Sequence, residues 1–428
     1  MTNTRKRYAL MTNRRRHVVG TDPEYDFVIS VPPQKRRSIL TDETPLFPVY
    51  AKNHITMKEN LQIKCLPYTY ASCYNPYCKC FEKDNIPIQI IKEIRVSRRI
   101  LIINTGGTLS AVMKESGLIP GLSIHDMQKE LQIVSGDTDI EIEDFCSRDS
   151  ANIFPEDWAA LAKRISDCKN DYDGIVVIHG TDTLAYTSSM LSFMLRNIGI
   201  PVVITGSQLS ITNPVADAME NCRCAIHMAA SRIPGIFVAF NRKVMLGCRT
   251  SKVRSLSFDA FESINYPNIA EISSLGMKIN ESVVPKRAGI FTLSDSYSDK
   301  VYMIKMFPGI HRDILESLAD QGYKGLYIEA YGIGGLPFLR HDFIAALDKL
   351  IKGGMTVVIG TQCRYEGTKM DVYETGKRTL EIGALEAHDM TGEAALTKLM
   401  WILGMTNDLN EIRDYYSVNI AGEMSARR

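Results

Sequence analysis

The sequence predicts an α/β protein: a large N-terminal lobe on a doubly wound, mostly parallel sheet, followed by a smaller C-terminal α/β lobe. Short, wholly apolar runs at 100–103, 175–178 and 357–359 have the pattern of strands buried on both faces. Each of the main runs ends in a Gly/Thr/Asp loop and is followed by a helix-like segment, the alternation that builds parallel sheets with helices on both faces. The length of 428 residues, at about 150 residues per domain, agrees with two to three domains.

In chain order, residues 1–95 form a basic extension, read as flexible or disordered. They carry clusters at Arg14 to Arg16 and Lys35 to Arg37, the pair Pro32-Pro33 and no sustained apolar period. Residues 96–290 make the first lobe, with strands expected at 100–104, 174–178 and 201–205 and a helix over 184–195. Residues 291–428 make the second, with strands near 325–329 and 355–360 and a closing amphipathic segment over 392–403.

Composition narrows the function classes. Hydrophobic residues make up 45% of the chain, and 50 basic residues face 49 acidic ones, so the molecule has no overall field to gather nucleic acid or anionic lipid. No apolar run reaches the ~18 residues of a membrane span. Basic residues from Arg5 to Arg16 interrupt any secretory core, and the absence of serine from the first 20 residues disfavours a mitochondrial transit peptide. Ten cysteines spread over a long chain read as free thiols in a reducing, cytoplasmic compartment. Cys65, Cys73, Cys78 and Cys80 lie close together, but their spacing departs from paired zinc hooks. Arg36-Arg37-Ser38 is read as a solvated charge run rather than a kinase site.

The chemistry-bearing residues fall where open α/β sheets bind ligands, beyond the carboxyl ends of strands. Thr108 follows Gly106-Gly107, which let the backbone turn tightly and offer N–H groups to a developing oxyanion. Thr181-Asp182 ends a second strand. A threonine hydroxyl needs a base to become a nucleophile, and Lys252, in the loop-like Thr250-Ser251-Lys252-Val253-Arg254, is the candidate partner. Neither phosphate-loop nor dinucleotide-binding spacing is present.

Taken together, Thr105-Gly106-Gly107-Thr108, His179-Gly180-Thr181-Asp182-Thr183, Ser251-Lys252 with Phe258-Asp259-Ala260-Phe261, and Asp389-Met390-Thr391 before Glu393-Ala394 resemble the bacterial-type L-asparaginases, in particular the cytosolic type I branch. The resemblance runs from about residue 100 to about 404. It implies hydrolysis of L-asparagine to L-aspartate and ammonia in a two-lobed protein that forms homodimers or homotetramers and uses neither metal nor organic cofactor. By motif, Thr108 matches the attacking threonine and Thr181 the second catalytic threonine, working with Lys252 and Asp182. Asp182 also matches the holder of the substrate amino group, and Asp149-Ser150 the segment whose serine binds the α-carboxylate. Which threonine attacks is left open by the residues themselves.

Three positions depart from the pattern. Leu118 stands where a lid tyrosine is often found, and Tyr373 is the candidate to reach the site in its place. Ala151 and Gly335 replace residues that are usually polar. Two lost polar contacts at about 0.5–1.5 kcal/mol each weaken substrate binding roughly 5- to 150-fold. Thr361-Gln362-Cys363 resembles a segment lining an allosteric asparagine pocket in some relatives, which makes Cys363 a candidate effector residue. Two other functions fit parts of the sequence: the asparaginase-like subunit of a tRNA-dependent amidotransferase, and a non-catalytic asparagine-binding regulator.

Overall fold

In the computed structural model of the protein, the described residues are 97–114, 117–286 and 289–425, together with four short segments nearer the N-terminus. Those segments, Tyr8–Met11, Arg16–Val19, Phe27–Ser30 and Gln89–Lys92, are strands of a four-stranded sheet in which Tyr8–Met11 lies between Arg16–Val19 and Phe27–Ser30. The four clustered cysteines and Arg36-Arg37-Ser38 lie outside the described residues.

Residues Ser97–Arg428 form a unit of their own, built on an eight-stranded sheet. Its strands are β1 (Arg99–Gly106), β2 (Asp139–Arg148), β3 (Gly174–Ile178), β4 (Pro201–Thr205), β5 (Gly235–Phe240), β6 (Lys243–Leu246), β7 (Ala270–Ser273) and β8 (Gly276–Ile279). Their spatial order is β8-β7-β6-β5-β4-β3-β1-β2. The five strands from β5 to β2 pair in parallel and the other three are antiparallel. β1, β3 and β4 are buried along almost their whole length, which is why their sequences are continuous apolar runs rather than alternations.

The crossovers are helical: α1 (Ile124–Ser135), α2 (Pro155–Cys168), α3 (Leu184–Met194) and α4 (Ala218–Ala229). Ser123 caps α1 by accepting from Asp126 N, and α2 begins with a proline at its first position, where the missing N–H costs nothing. The chain runs from β1 to β2 on one side and then places β3 on the other side of β1. The strand order therefore reverses about β1, the place where doubly wound sheets open a crevice.

A second, all-parallel sheet follows in the order β9 (Val301–Lys305), β10 (Gly325–Ala330), β11 (Thr356–Thr361) and β12 (Leu385–Glu386). It is covered by α5 (Asp313–Asp320) and α6 (Phe343–Lys352) around a core that includes Leu326, Ile328, Phe343 and Leu347. After α7 (Glu374–Glu381) come α8 (Gly392–Met405) and α9 (Leu409–Ser417).

One sequence expectation changes here. The pattern of 392–403 predicts an amphipathic segment, yet Ala394, Ala395 and Thr397 to Leu403 are all buried. The reason is its position: α8 packs against α3 on one side, where Trp401 stacks on Phe193 with centroids 5.9 Å apart, and against β10 and β11 on another. A helix covered on several sides needs no polar stripe.

Candidate active site

Three loops meet where the strand order reverses, at the carboxyl ends of β2, β1 and β3. Gly107 brings two of them into contact. Its φ is +81°, and a Cβ there would stand 2.4 Å from Gly180 Cα, so only glycine lets the β1 loop lie against the β3 loop. Gly180 is constrained in turn, because a Cβ on it would lie 2.7 Å from the Ser150 side chain. The residues that follow these glycines, Thr108 and Thr181, are thereby delivered to one cleft. It spans about 350 Å³, counting the part that opens to solvent, and is lined by Thr108, Asp149, Ser150, Thr181 and Asp182 with Gly107, Ala111 and Gly180.

The β2 loop supplies the third wall. Asp149 Oδ1 accepts from Ala151 N at 2.8 Å and caps a short helical turn. Ser150 Oγ accepts from Asp182 N at 3.2 Å, and Thr183 Oγ1 donates to the Ser150 carbonyl at 2.7 Å. The Asp149-Ser150 and Thr181-Asp182-Thr183 segments are therefore tied to each other at two points. Beneath β1, Asn104 Nδ2 donates to Asp144 at 2.7 Å and Asn104 Oδ1 accepts from Gly106 N at 3.1 Å, bracing the irregular register at the end of the strand.

Lys252 stands behind Thr181. Its Nζ donates to Thr181 Oγ1 at 2.8 Å and to Asp182 Oδ1 at 2.7 Å. Read from sequence as part of a loop, Lys252 instead ends a strand, Thr250–Lys252, paired antiparallel with Phe261–Ser263. Thr181 is buried while the Asp182 side chain is 65% exposed. The cleft thus presents one enclosed hydroxyl in contact with an amine and one solvated carboxylate beside it. A nucleophilic hydroxyl, a proton carrier and backbone N–H groups at glycine turns are the parts an acyl transfer needs.

The β3 loop is held from behind by His179, which is buried. Trp158 Nε1 donates to Thr187 Oγ1, Thr187 donates to His179 Nε2, and His179 Nδ1 donates to the Gly180 carbonyl, at 2.9, 2.9 and 2.7 Å. The carbonyl can only accept, so Nδ1 carries a proton, and with the imidazole held neutral by burial Nε2 is the acceptor for Thr187. Burial pushes the imidazole down to about 4, against the Gly180 carbonyl, which favours its charged form. His179 is therefore a prop for Gly180-Thr181 rather than a proton carrier.

Of the residues singled out from sequence, the structure brings Thr108, Asp149, Ser150, Thr181, Asp182 and Lys252 together. It leaves two elsewhere. Tyr373 precedes α7 as its N-cap, is 63% exposed and is not among the cleft-lining residues. Cys363 is exposed just beyond β11, with its N–H donating to Thr361 Oγ1. Leu118 lies on strand Gly117–Pro120, which pairs with Ala111–Lys114 beside the cleft residue Ala111.

Sequence reasoning missed Gln208, whose side-chain amide donates to the carbonyls of Ser255 and Ser257 and whose backbone N–H is held by Asp217. It also missed Arg364, which reaches the Ser251-Lys252 strand. The signal for Gln208 was its place in a Gly-Ser-Gln loop after β4. Nothing local marked Arg364.

The comparisons with known proteins agree with this geometry. Residues 99–285 match the family model "Asparaginase, N-terminal" and residues 300–416 match "Glutaminase/Asparaginase C-terminal domain". An L-asparaginase from Thermococcus kodakarensis is 43% identical over 329 residues, covering 76% of this chain and 99% of the relative. A glutamyl-tRNA(Gln) amidotransferase subunit from Pyrococcus abyssi is 35% identical over 338 residues, 76% of each chain. The crystal structure of L-asparaginase I from Vibrio cholerae superposes with a TM-score of 0.71 at 28% identity, over 77% of this chain and all of that one. With both family models matched in order and the paired threonine loops, the lysine and the two sheets all in place, the chain belongs to the asparaginase family.

Proposed function

We propose that the protein is an L-asparaginase that hydrolyses L-asparagine to L-aspartate and ammonia. The observation that carries this reading is the contact of Lys252 Nζ with both Thr181 Oγ1 and Asp182 Oδ1, in a cleft whose other wall is Thr108. Thr108 Oγ attacks the side-chain amide carbon, and its proton passes through Thr181 and Lys252 to the departing nitrogen. The C–N bond breaks, ammonia leaves, and a Thr108 ester remains. Water, activated by the same Thr181/Lys252 pair, adds to the ester, returns the proton to Thr108 and releases aspartate. Gly106 and Gly107 spend their own N–H groups on Asn104 Oδ1 and the Arg148 carbonyl, so the backbone N–H of Thr108, at the end of that turn and in the cleft wall, is the donor assigned to the oxyanion in both steps. Asp182 holds the substrate's α-amino group and Ser150 binds its α-carboxylate, on a turn that Asp149 caps and that places Asp149 in the substrate-lining wall.

The enzyme acts in the cytoplasm as a homodimer or homotetramer, needs no metal or organic cofactor, and binds neither membrane nor nucleic acid. Among the described residues no helix is long and apolar enough to cross a membrane. Coverage favours hydrolysis over the amidotransferase reading, since the asparaginase relative is matched along 99% of its length and the amidotransferase relative along 76%. Cys363 belongs to an effector pocket in this reading, and cooperativity that survives Cys363→Ala counts against that role.

The test is ammonia release from asparagine and from glutamine by purified protein, with Thr108→Ala beside it. Release from asparagine that the variant lacks supports the reading. No release above the variant at millimolar asparagine overturns it, and copurification with tRNA points to the amidotransferase function instead.

A further inference from the structure

Ser251 precedes Lys252 on an extended strand, so its side chain points to the opposite face from the lysine. There it is gripped by two residues of the C-terminal lobe. Ser251 Oγ donates to Glu393 Oε1 at 2.8 Å and accepts from Arg364 Nη1 at 3.0 Å. The same Arg364 nitrogen lies 3.2 Å from the Lys252 carbonyl oxygen. The hydroxyl thus sits between a cation and a carboxylate, its donor and one acceptor site used, and the guanidinium holds the main chain of the next residue.

Glu393 is placed for this by the start of α8. Thr391 is the N-cap, its side chain accepting from Ala394 N, and a carboxylate in the first turn is favoured by the helix dipole. Burial pushes the Glu393 carboxyl up, while its own backbone N–H, Ser251, Arg364 and Thr391 favour the charged form. None of Ser251, Glu393 or Arg364 lines the cleft. Lys252, by contrast, hangs on a long flexible stem, and one of its two acceptors, Asp182, is largely exposed.

We propose that Ser251, Glu393 and Arg364 are positioning residues, a clamp from the C-terminal lobe that fixes the Lys252 main chain and so holds its amine on Thr181. This rests on the amide-hydrolysis reading above. A proton carrier displaced by about 1 Å loses on the order of 100-fold in rate, so the clamp acts on kcat more than on KM.

The experiment is steady-state asparagine hydrolysis by the full chain, with thermal midpoints, for Ser251→Ala, Ser251→Thr, Arg364→Ala, Lys252→Met and the double variant Ser251→Ala/Lys252→Met. Arg364 is exposed, so Arg364→Ala keeps the test valid even if Ser251→Ala does not fold. Ser251→Ala and Arg364→Ala should each lower kcat about 10- to 100-fold with KM within about 3-fold. Ser251→Thr, which keeps the hydroxyl, should recover most of the rate. In the Lys252→Met background the Ser251→Ala change should add less than about 2-fold, because residues acting as a unit are not additive. Full kcat in both Ser251→Ala and Arg364→Ala overturns the clamp. So does an undiminished Ser251→Ala effect in the Lys252→Met background. A wild type that releases no ammonia sinks the hydrolase reading and this proposal with it, whereas a working wild type with indifferent variants sinks this proposal alone.

Discussion

Lys252 Nζ lies 2.8 Å from Thr181 Oγ1, close enough for a proton to pass directly between them. Replacing Lys252 with methionine keeps the length of the side chain and removes the amine. The expected result is a fall in kcat of about 100- to 10,000-fold, the range for loss of a general acid–base group, with KM changed far less because the cleft wall is intact. Steady-state kinetics with asparagine check it, and a Lys252→Met enzyme within 10-fold of wild-type kcat removes Lys252 from the proposed mechanism.

The two threonines separate by the step each serves. Thr108→Ala removes the proposed nucleophile and should abolish ester formation. Thr181→Ala removes the relay and leaves Thr108 in place, so slow acylation should persist. Mass spectrometry of each variant after incubation with asparagine is the check: an aspartyl adduct trapped on Thr181→Ala and missing from Thr108→Ala is expected, and the reverse pattern exchanges the roles.

How much of this was legible in the sequence follows from where each signal resides. Strands such as 174–178 and 201–205 appear in the structure at the expected bounds, because a parallel strand buried on both faces writes its whole environment into consecutive residues. The glycine–threonine loops were legible because tight turns and strand ends constrain residue type locally. The hairpin that carries Lys252 was not, since Thr250–Lys252 and Phe261–Ser263 are three residues each and their pairing is a tertiary fact. Arg364 is 112 residues from Lys252 in sequence, and only the approach of the two lobes gives it a partner. The buried faces of α8 were hidden for a similar reason: what covers Trp401 is Phe193 of α3.

Gly107 gives a prediction about folding as well as rate. Its φ of +81° and the 2.4 Å approach of a would-be Cβ to Gly180 Cα leave no room for a side chain without moving a backbone. Gly107→Ala should destabilise the protein by about 2–4 kcal/mol through strain and steric conflict. It should also reduce kcat, because both threonine loops shift. Gly276 has a similar φ of +93° but open space around it, so Gly276→Ala should cost about 1 kcal/mol and leave the rate unchanged. Denaturant midpoints for the pair check the contrast, and equal losses would show that backbone conformation alone, not the loop contact, matters at Gly107.

His179 makes the stability of the fold depend on pH. In the unfolded chain it takes up a proton near its ordinary value of 6.5, whereas burial holds it to about 4 in the folded protein. The unfolded state therefore binds more protons between these values. The contribution of neutral His179 is fully present above pH 6.5 and declines as pH falls toward 4, by about 3 kcal/mol in all. A His179→Gln variant keeps an acceptor for Thr187 and a donor for Gly180 but cannot titrate. Denaturant unfolding at pH 7 and pH 4.5 should show wild type losing about 2–3 kcal/mol more than the variant over that interval, and parallel losses would mean that His179 is not held neutral.

Lys398 and Glu423 form an ion pair with both side chains fully buried, at 2.6 Å. Lys398 also donates to the carbonyls of Tyr416 and Val418, and Glu423 accepts from Ile420 N and Ala421 N. These bonds tie the C-terminal segment to α8, the helix that also presents Glu393 to Ser251. Burial pushes the Lys398 amine down, with Glu423 opposing, so each charge is tolerated only because the other is there. Lys398→Met leaves the Glu423 carboxylate buried without its counter-ion and should cost about 3–5 kcal/mol. The Lys352–Asp348 pair, one helical turn apart with Lys352 largely exposed, has water as an alternative partner, and Lys352→Met should change stability by less than about 0.5 kcal/mol. Unfolding midpoints for the two variants test whether burial sets the difference. A Lys398→Met protein within 1 kcal/mol of wild type would show that the C-terminal segment is held by its backbone bonds and apolar contacts rather than by this pair.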